Sequence, residues 1–348
     1  MTTGGPPVIT TVSTVKDDLP RLERWIDRNT AAGVDRMVVF LDDRDDARTA
    51  QLLDARPGVI AVDAGSWWGD EQPARLNARQ RTNANAALRV VRENDPRGWM
   101  FHIDGDEVLH LDKDRLLALP EDTDAVRLAP LEALSQWEWP NDEVTVFKRL
   151  LTAEELDLLH LLGMLERPDN DAYFRGHTSG KAGLRVSSEA WLEIHRVVDD
   201  SRAPVPAHRA SWLQVLHYES HTLEEFVRKW TNHTTSGHRL VARPERRRLA
   251  SAMTAGGWGE WAPEVADQVR RDLFAATALD DRAGLERLGL LVSPVMSPVM
   301  AVGPAAPAPA DAHHEGIREG LAELAGADKS RFSLDAPDAR ERTTSVQQ

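Results

Sequence analysis

Between Trp99 and Leu111 the sequence reads WMFHIDGDEVLHL, and its centre sets three carboxylates, Asp104, Asp106 and Glu107, within four residues. Two aspartates one residue apart at a strand end point to one side, and the intervening Gly105 leaves the backbone open to close approach. Oxygen donors of this kind suit a hard divalent cation, Mg²⁺ or Mn²⁺, which keeps positions open for the phosphate oxygens of a nucleotide. Asp-Gly-Asp is also an ordinary turn composition. Its placement argues for more: Trp99, Phe101 and Ile103 alternate as a strand does, and acids directly behind it repel one another unless a cation or solvent offsets them.

Other residues bear chemistry with an alternative beside each. His217 closes the apolar run WLQVLHY, where a histidine is either a hydrogen-bonded structural residue or a ligand. His177 and Lys181 lie in GHTSGKAGLRV, a stretch that reads as a solvated turn, although an ammonium flanked by small residues has the reach to bind phosphate. Asp42, Asp43 and Asp63 follow apolar runs, as helix caps or as groups facing a ligand. No Gly-x-Gly-x-x-Gly follows the first strand and no Gly-Lys-Ser/Thr loop occurs, so neither a Rossmann dinucleotide site nor a P-loop is indicated.

The elements that position these groups can be read in order. Val8–Val15 is a β-branched strand; Asp17 and Asp18 are N-cap candidates with Pro20 in the first turn of a helix through Leu22, Trp25 and Ile26 that Gly33 stops. RMVVFL (Arg36–Leu41) is a second strand ending in Asp42–Asp46, and Val59–Val62 is a third. Pro73–Asn94 carries a long helical pattern closed by Asp95-Pro96. Strands alternating with helices over the first 130 or so residues predict an α/β fold, with a mostly parallel sheet flanked by helices and ligands beyond the carboxyl ends of its strands. After Ala125–Leu128, another strand, the pattern loosens from about Glu132. Gly176–Val186 and Trp191–Val198 read as a small antiparallel hairpin turning near Ser187-Ser188. Thr222–Glu225 opens a helix as a capping box, and C-terminal helices follow over Arg243–Ala255 and Pro263–Ala276. The Arg243–Arg248 cluster reads as a solvated face. The expected organisation is a domain over 1–240, a helical extension over 241–292 and a Pro/Ala-rich disordered tail over 293–348, with at most a short helix near Glu315–Leu324.

Composition narrows the function. The 348 residues carry a net charge of −14 and a pI near 5.3, which argues against nucleic acid as a partner and makes a cation a natural intermediary for any anionic substrate. With no cysteine, thiolate metal sites and cysteine catalysis are excluded. The N-terminus MTTGGPPVIT has neither a basic nor an apolar signal region and no window approaches a membrane span, so a soluble cytoplasmic protein without a transmembrane segment is expected.

Three segments in this order, VITTVSTVKDD with WIDRNTAAGVDRMVVFLDD, then WMFHIDGDEVLHL, then LHYESHTLEEFVRKW, resemble the bacterial, family 2-like glycosyltransferases of the GT-A fold over Val8–Trp230. The resemblance implies a Rossmann-like GT-A domain with a donor half about 8–130 and an acceptor half about 131–240. It implies transfer of a sugar from a nucleoside-diphosphate-sugar, a UDP-sugar first among them, to a hydroxyl of a glycan or small-molecule acceptor. Asp104 and Asp106 then look like ligands of Mn²⁺ or Mg²⁺, with His217 as the third. Thr11, Asp42, Asp43, Arg81, Asn85, Asp104 and Lys181 are the expected donor contacts. If the sugar centre inverts, Glu132 is the candidate base, with Glu138 and Asp142 as rivals. The family's Asp-x-x-Ser-x-x-Asp spacing is absent after the second strand, which leaves the base open. A DxD-type phosphatase, whose nucleophile stands behind the first strand, and a non-catalytic nucleotide-binding or scaffold protein are the alternatives.

Overall fold

The computed structural model describes residues 7–44, 46–235, 261–294 and 312–333. In chain order its elements are β1 (Ile9–Val15), α1 (Leu19–Ala31), β2 (Arg36–Leu41), α2 (Ala47–Asp54), β3 (Val59–Val62), α3 (Ala64–Trp68), α4 (Leu76–Asn94), β4 (Trp99–His102), β5 (Glu107–Leu111), α5 (Lys113–Leu117) and β6 (Ala125–Ala133). There follow β7 (Phe147–Arg149), α6 (Ala153–Leu161), α7 (Asn170–Tyr173), β8 (Lys181–Arg185), β9 (Trp191–Leu192), β10 (Val197–Val198), β11 (Ala207–His217), α8 (Leu223–Thr235), α9 (Pro263–Thr277), α10 (Arg282–Arg287), β12 (Leu291–Val292) and α11 (Ala312–Leu324). Local chemistry sets many of the boundaries. Asp18 caps α1 by accepting from Arg21 N at 3.0 Å, with proline in the first turn, and Asp63 caps α3 by accepting from Ser66 N at 2.9 Å. Thr152 and Glu155 form a reciprocal capping box on α6.

The chain divides into two compact units. The first comprises residues 1–128, 181–213 and 298–348. Its sheet has a parallel centre in the order β4-β1-β2-β3, with Ile9 opposite Trp99, Thr10 opposite Arg36 and Met37 opposite Val59. Antiparallel β8 extends it beside β4, and residues 125–128 of β6 lie beyond β8. Val12, Val38, Phe40 and Met100 of the sheet pack with Ala84, Ala87, Leu88 and Val91 of α4 and with Trp67 of α3. The expected small antiparallel hairpin is present, but its strands are not the two segments expected. Gly176–Val186 contributes β8 to the sheet, and the small antiparallel pair is β9 with β10, Leu192 opposite Val197. A short strand pattern fits a sheet centre as readily as a hairpin, and only the partner strand decides.

The short helix expected near Glu315–Leu324 is present, somewhat longer and packed into the core. Ala312–Leu324 is a helix of thirteen residues, and Ile317, Leu321 and Phe332 are buried in the core of the first unit. A side chain at Gly320 would overlap Val90, so the glycine is what lets α11 lie against α4. Pro304–Ala310, the helix over Arg243–Ala255 with its arginine cluster, and Asp45 lie outside the described residues.

The second unit comprises residues 129–180 and 214–297. Its short antiparallel sheet sets Leu131 of β6 opposite Arg149 of β7, and Leu291 of β12 opposite Lys148. Phe226 and Trp230 of α8 pack with Phe274 of α9 and with Ala278. β6 runs on to Ala133, so Glu132 belongs to a strand and not to a loosened loop region.

Candidate functional site

In the first unit the acidic turn follows β4 at the carboxyl end of the parallel strands, one strand over from the end of β1. Two helices position it. From α1, Trp25 Nε1 and Asn29 Nδ2 donate to the Glu107 carbonyl at 2.8 and 3.1 Å, while Asn29 Oδ1 accepts from Leu109 N at 3.1 Å. From α4, Gln80 Nε2 donates to Asp104 Oδ1 at 2.9 Å. The Glu107 side chain turns back to accept from Asp104 N at 2.8 Å, closing the turn.

Lys181, at the start of β8 and fully buried, completes the cluster: its ammonium lies 2.7 Å from Asp104 Oδ2 and 3.2 Å from Glu107 Oε2. Burial alone would raise the Asp104 pKa, but the Lys181 ammonium outweighs it and holds the carboxyl well below the usual carboxylate range. The same pairing outweighs burial at Lys181 and raises it, so both stay charged near neutrality. His102, buried beneath the turn, is pushed down to about 4, first by burial and then by Lys181, and stays neutral. By formal charge, Asp104, Asp106 and Glu107 against Lys181 give these four groups a net of two negative charges. Hard carboxylate oxygens of this kind fit Mg²⁺ or Mn²⁺, and Asp104 and Asp106 are both half-buried, while Glu107 is fully buried.

α4 serves the neighbouring strand ends as well. Arg79 grips both oxygens of Asp42 at 2.6 Å, a bidentate pair at the end of β2. Asn83 donates to Thr14 Oγ1 at 2.9 Å near the end of β1 and accepts from Trp67 Nε1 at 2.8 Å.

The second unit holds a buried polar network of its own. Glu132 accepts from the backbone N–H groups of Arg175, at 2.7 Å, and Gly176, and its Oε1 lies 2.8 Å from the Lys148 ammonium. Lys148 also reaches Asp280 at 3.2 Å and the Tyr173 carbonyl at 3.1 Å. Burial by itself would raise Glu132, but Lys148 and then His217 outweigh it and the carboxyl lies below its ordinary value. His217, the last residue of β11, stacks on His177 with ring centroids 4.9 Å apart, and its Nε2 is 3.8 Å from Glu219 Oε2. A side chain at Gly176 would overlap the His217 ring, so glycine there admits the imidazole.

No protein-family model matches this chain, and no curated protein sequence does. Two solved structures give partial likenesses. The crystal structure of HddC from Yersinia pseudotuberculosis is 13% identical with a TM-score of 0.26, covering 52% of this chain and 77% of that one. Mannosyltransferase PcManGT from Pyrobaculum calidifontis, in complex with GDP-Man and Mn²⁺, is 14% identical with a TM-score of 0.29, covering 82% of this chain and 80% of that one. Likenesses at these scores carry no argument about activity. Among the described residues no helix is long and apolar enough to cross a membrane.

Several expected site residues have different work. Thr11 lies in the middle of β1, not at its end, and is buried. Asn85 donates to the Leu192 and Phe332 carbonyls and accepts from Leu192 N, so it ties β9 and the chain's C-terminal segment to α4. Lys181 stands in a strand with its ammonium on Asp104 and Glu107, not in a solvated turn reaching for phosphate. Glu132 has its oxygens committed to two amides and an ammonium, and a lowered pKa makes it a poor proton acceptor, so the assignment as base is withdrawn. Glu138 and Asp142 are exposed, Asp43 pairs with Lys16 at 3.0 Å, and Arg81 is half-buried on α4. Reading the sequence missed Arg79, Gln80 and Asn83. The signal available was the unbroken polar run Arg79–Asn83, which passes fully round a helix and so puts some polar groups on its buried side, where they need partners.

Proposed function

We propose that the protein is a glycosyltransferase that uses a nucleoside-diphosphate-sugar and a divalent cation, Mn²⁺ or Mg²⁺, with Asp104 and Asp106 as cation ligands. The observation that carries this reading is the turn itself: a formal net charge of −2 with Lys181 counted, held by α1 and α4 at the carboxyl end of a parallel sheet, where α/β proteins bind nucleotides. When bound, a divalent cation offsets the negative charge that develops as the nucleoside diphosphate leaves. Gln80 and Lys181 hold the Asp104 carboxylate in place, and Lys181 keeps it ionised. Arg79 presets Asp42 as an acceptor at the end of β2, suited to a ribose hydroxyl. Exposed Glu138 and Asp142 are the carboxylates left to take the acceptor proton if the reaction inverts.

Calorimetric titration with UDP and GDP, with and without Mn²⁺, tests the reading. Asp106→Ala is expected to abolish the metal-dependent part of nucleotide binding and to slow transfer roughly 10²-fold. His217→Ala tests separately the third ligand implied by the family resemblance. Chelator should reproduce the Asp106→Ala defect in the wild type and add nothing in the variant. Nucleotide binding indifferent to chelator and to Asp106→Ala would overturn the proposal.

One observation favours a second reading. Lys181 already supplies a positive charge to Asp104 and Glu107, which is what a non-catalytic nucleotide-binding protein would retain in place of a cation. Metal-independent nucleotide binding without sugar hydrolysis or transfer would decide for it.

A further inference from the structure

We propose that a cavity of the second unit binds a small molecule with an aromatic or comparably apolar body and a hydroxyl group. This deepens the transferase reading, on which it rests for the ligand's role as acceptor; the binding itself is testable without it. The cavity holds about 340 Å³, within the size range of small-molecule sites. Phe174, Phe226 and Trp230 give it an aromatic wall, each buried and fixed by packing: Phe226 and Trp230 ring centroids lie 6.3 Å apart, and Phe226 meets Phe274 edge-on at 5.5 Å. Ala276 and Ala278, small residues at the end of α9, keep the opposite side open.

The buried polar residues of the lining are Glu219 and Ser220, 5% and 3% exposed, while Glu166, Arg167 and Asp171 line its exposed side with half-buried Arg175. Glu219 is held by Lys229 at 2.7 Å and accepts from the Ser220 hydroxyl at 3.1 Å. Ser220 has φ = 41°, a left-handed backbone conformation costly for a residue with a Cβ. Such conformations persist where surrounding structure enforces them, and they concentrate at ligand sites. An apolar body suits the aromatic wall, and a hydroxyl can donate to the Glu219 carboxylate, whose oxygens each accept more than one hydrogen bond. A hydroxylated aromatic satisfies both.

The test is calorimetric titration of the full chain with 2-naphthol, with quinoline as a bicyclic probe lacking a hydroxyl and glucose as a purely polar one. Saturable one-to-one binding of 2-naphthol, weaker binding of quinoline and none of glucose are expected. Trp230→Ala should weaken 2-naphthol roughly tenfold. Ala276→Phe, at an exposed position that tolerates a larger side chain, should block it while leaving the circular dichroism spectrum intact. Glu219→Gln should cost 2-naphthol roughly threefold to tenfold and quinoline nothing. No saturable binding at about 1 mM probe, or binding that survives Ala276→Phe, overturns the proposal. Intact 2-naphthol binding in a protein that binds no nucleotide would retain this site and remove the transferase reading instead.

Discussion

Lys181 and Glu107 are both completely buried, and each depends on the other's charge. Removing one member of a buried pair leaves an uncompensated ion, which costs more than the intact pair contributes. Lys181→Met is therefore expected to destabilise the protein by about 3–5 kcal/mol in denaturant unfolding. A loss of nucleotide binding with unchanged stability would instead mark Lys181 as a phosphate contact. Glu132 poses the same question in the second unit. Glu132→Gln removes a carboxylate that neutralises Lys148, and a destabilisation of about 2–3 kcal/mol is expected. Slowed transfer at unchanged stability would restore it as a base. Glu138→Gln and Asp142→Asn, at exposed positions, should leave stability within about 0.5 kcal/mol of wild type.

Among the elements α4 matters most. Its apolar side packs on the sheet, its N-terminal half reaches Asp42, Asp104 and Thr14, and its C-terminal end is fixed by Asp95. The Asp95 side chain is fully buried and accepts from Arg97 Nε at 2.7 Å and Arg36 at 3.2 Å. Burial alone would raise its pKa, but the hydrogen bonds from Arg97 and Arg36 outweigh it and hold it below the ordinary value. An aspartate whose pKa is lower folded than unfolded contributes stability fully above the unfolded value, about 3.9, and loses it as pH falls through the folded value. Asp95→Asn is thus expected to lower stability at pH 7, and the difference between the two proteins should shrink as pH drops below about 3.9. A difference independent of pH would show that packing, not charge, is what the substitution removes. The contact of α11 with α4 is equally specific: Gly320→Leu should lower the melting temperature, because the side chain meets Val90.

The chain passes from one unit to the other four times, so neither unit is a continuous stretch of sequence. The first unit draws its last core residues, Ile317, Leu321 and Phe332, from beyond residue 311. Lys329 adds a buried hydrogen bond to the Trp67 carbonyl at 2.7 Å, with its ammonium 4.4 Å from the Trp67 ring centroid. A fragment of residues 1–240 exposes the apolar surface that these residues cover, at about 1.5–3 kcal/mol for each large side chain. It is expected to unfold at lower denaturant than the full chain and to aggregate. A fragment as stable as the full chain would show that the C-terminal segment is dispensable.

The sequence determined what depends on neighbours along the chain. The β-branched runs, the Asp18 and Asp63 caps and the strand–helix alternation follow from periodicity and capping, and the structure has β1 to β4, α1 and α4 where these rules put them. The acidic turn was legible because Asp104-Gly105-Asp106-Glu107 interrupts an apolar strand within one residue. Tertiary structure alone decided what those acids meet. Lys181 is 77 residues from Asp104, Arg79 is 37 from Asp42, and Glu132 is 43 and 44 from the amides it accepts from. A side chain's period reports which face is buried but not which distant group shares the burial. For ionisable residues that partner sets charge, pKa and availability, and so separates a structural carboxylate such as Glu132 from an accessible one such as Asp106.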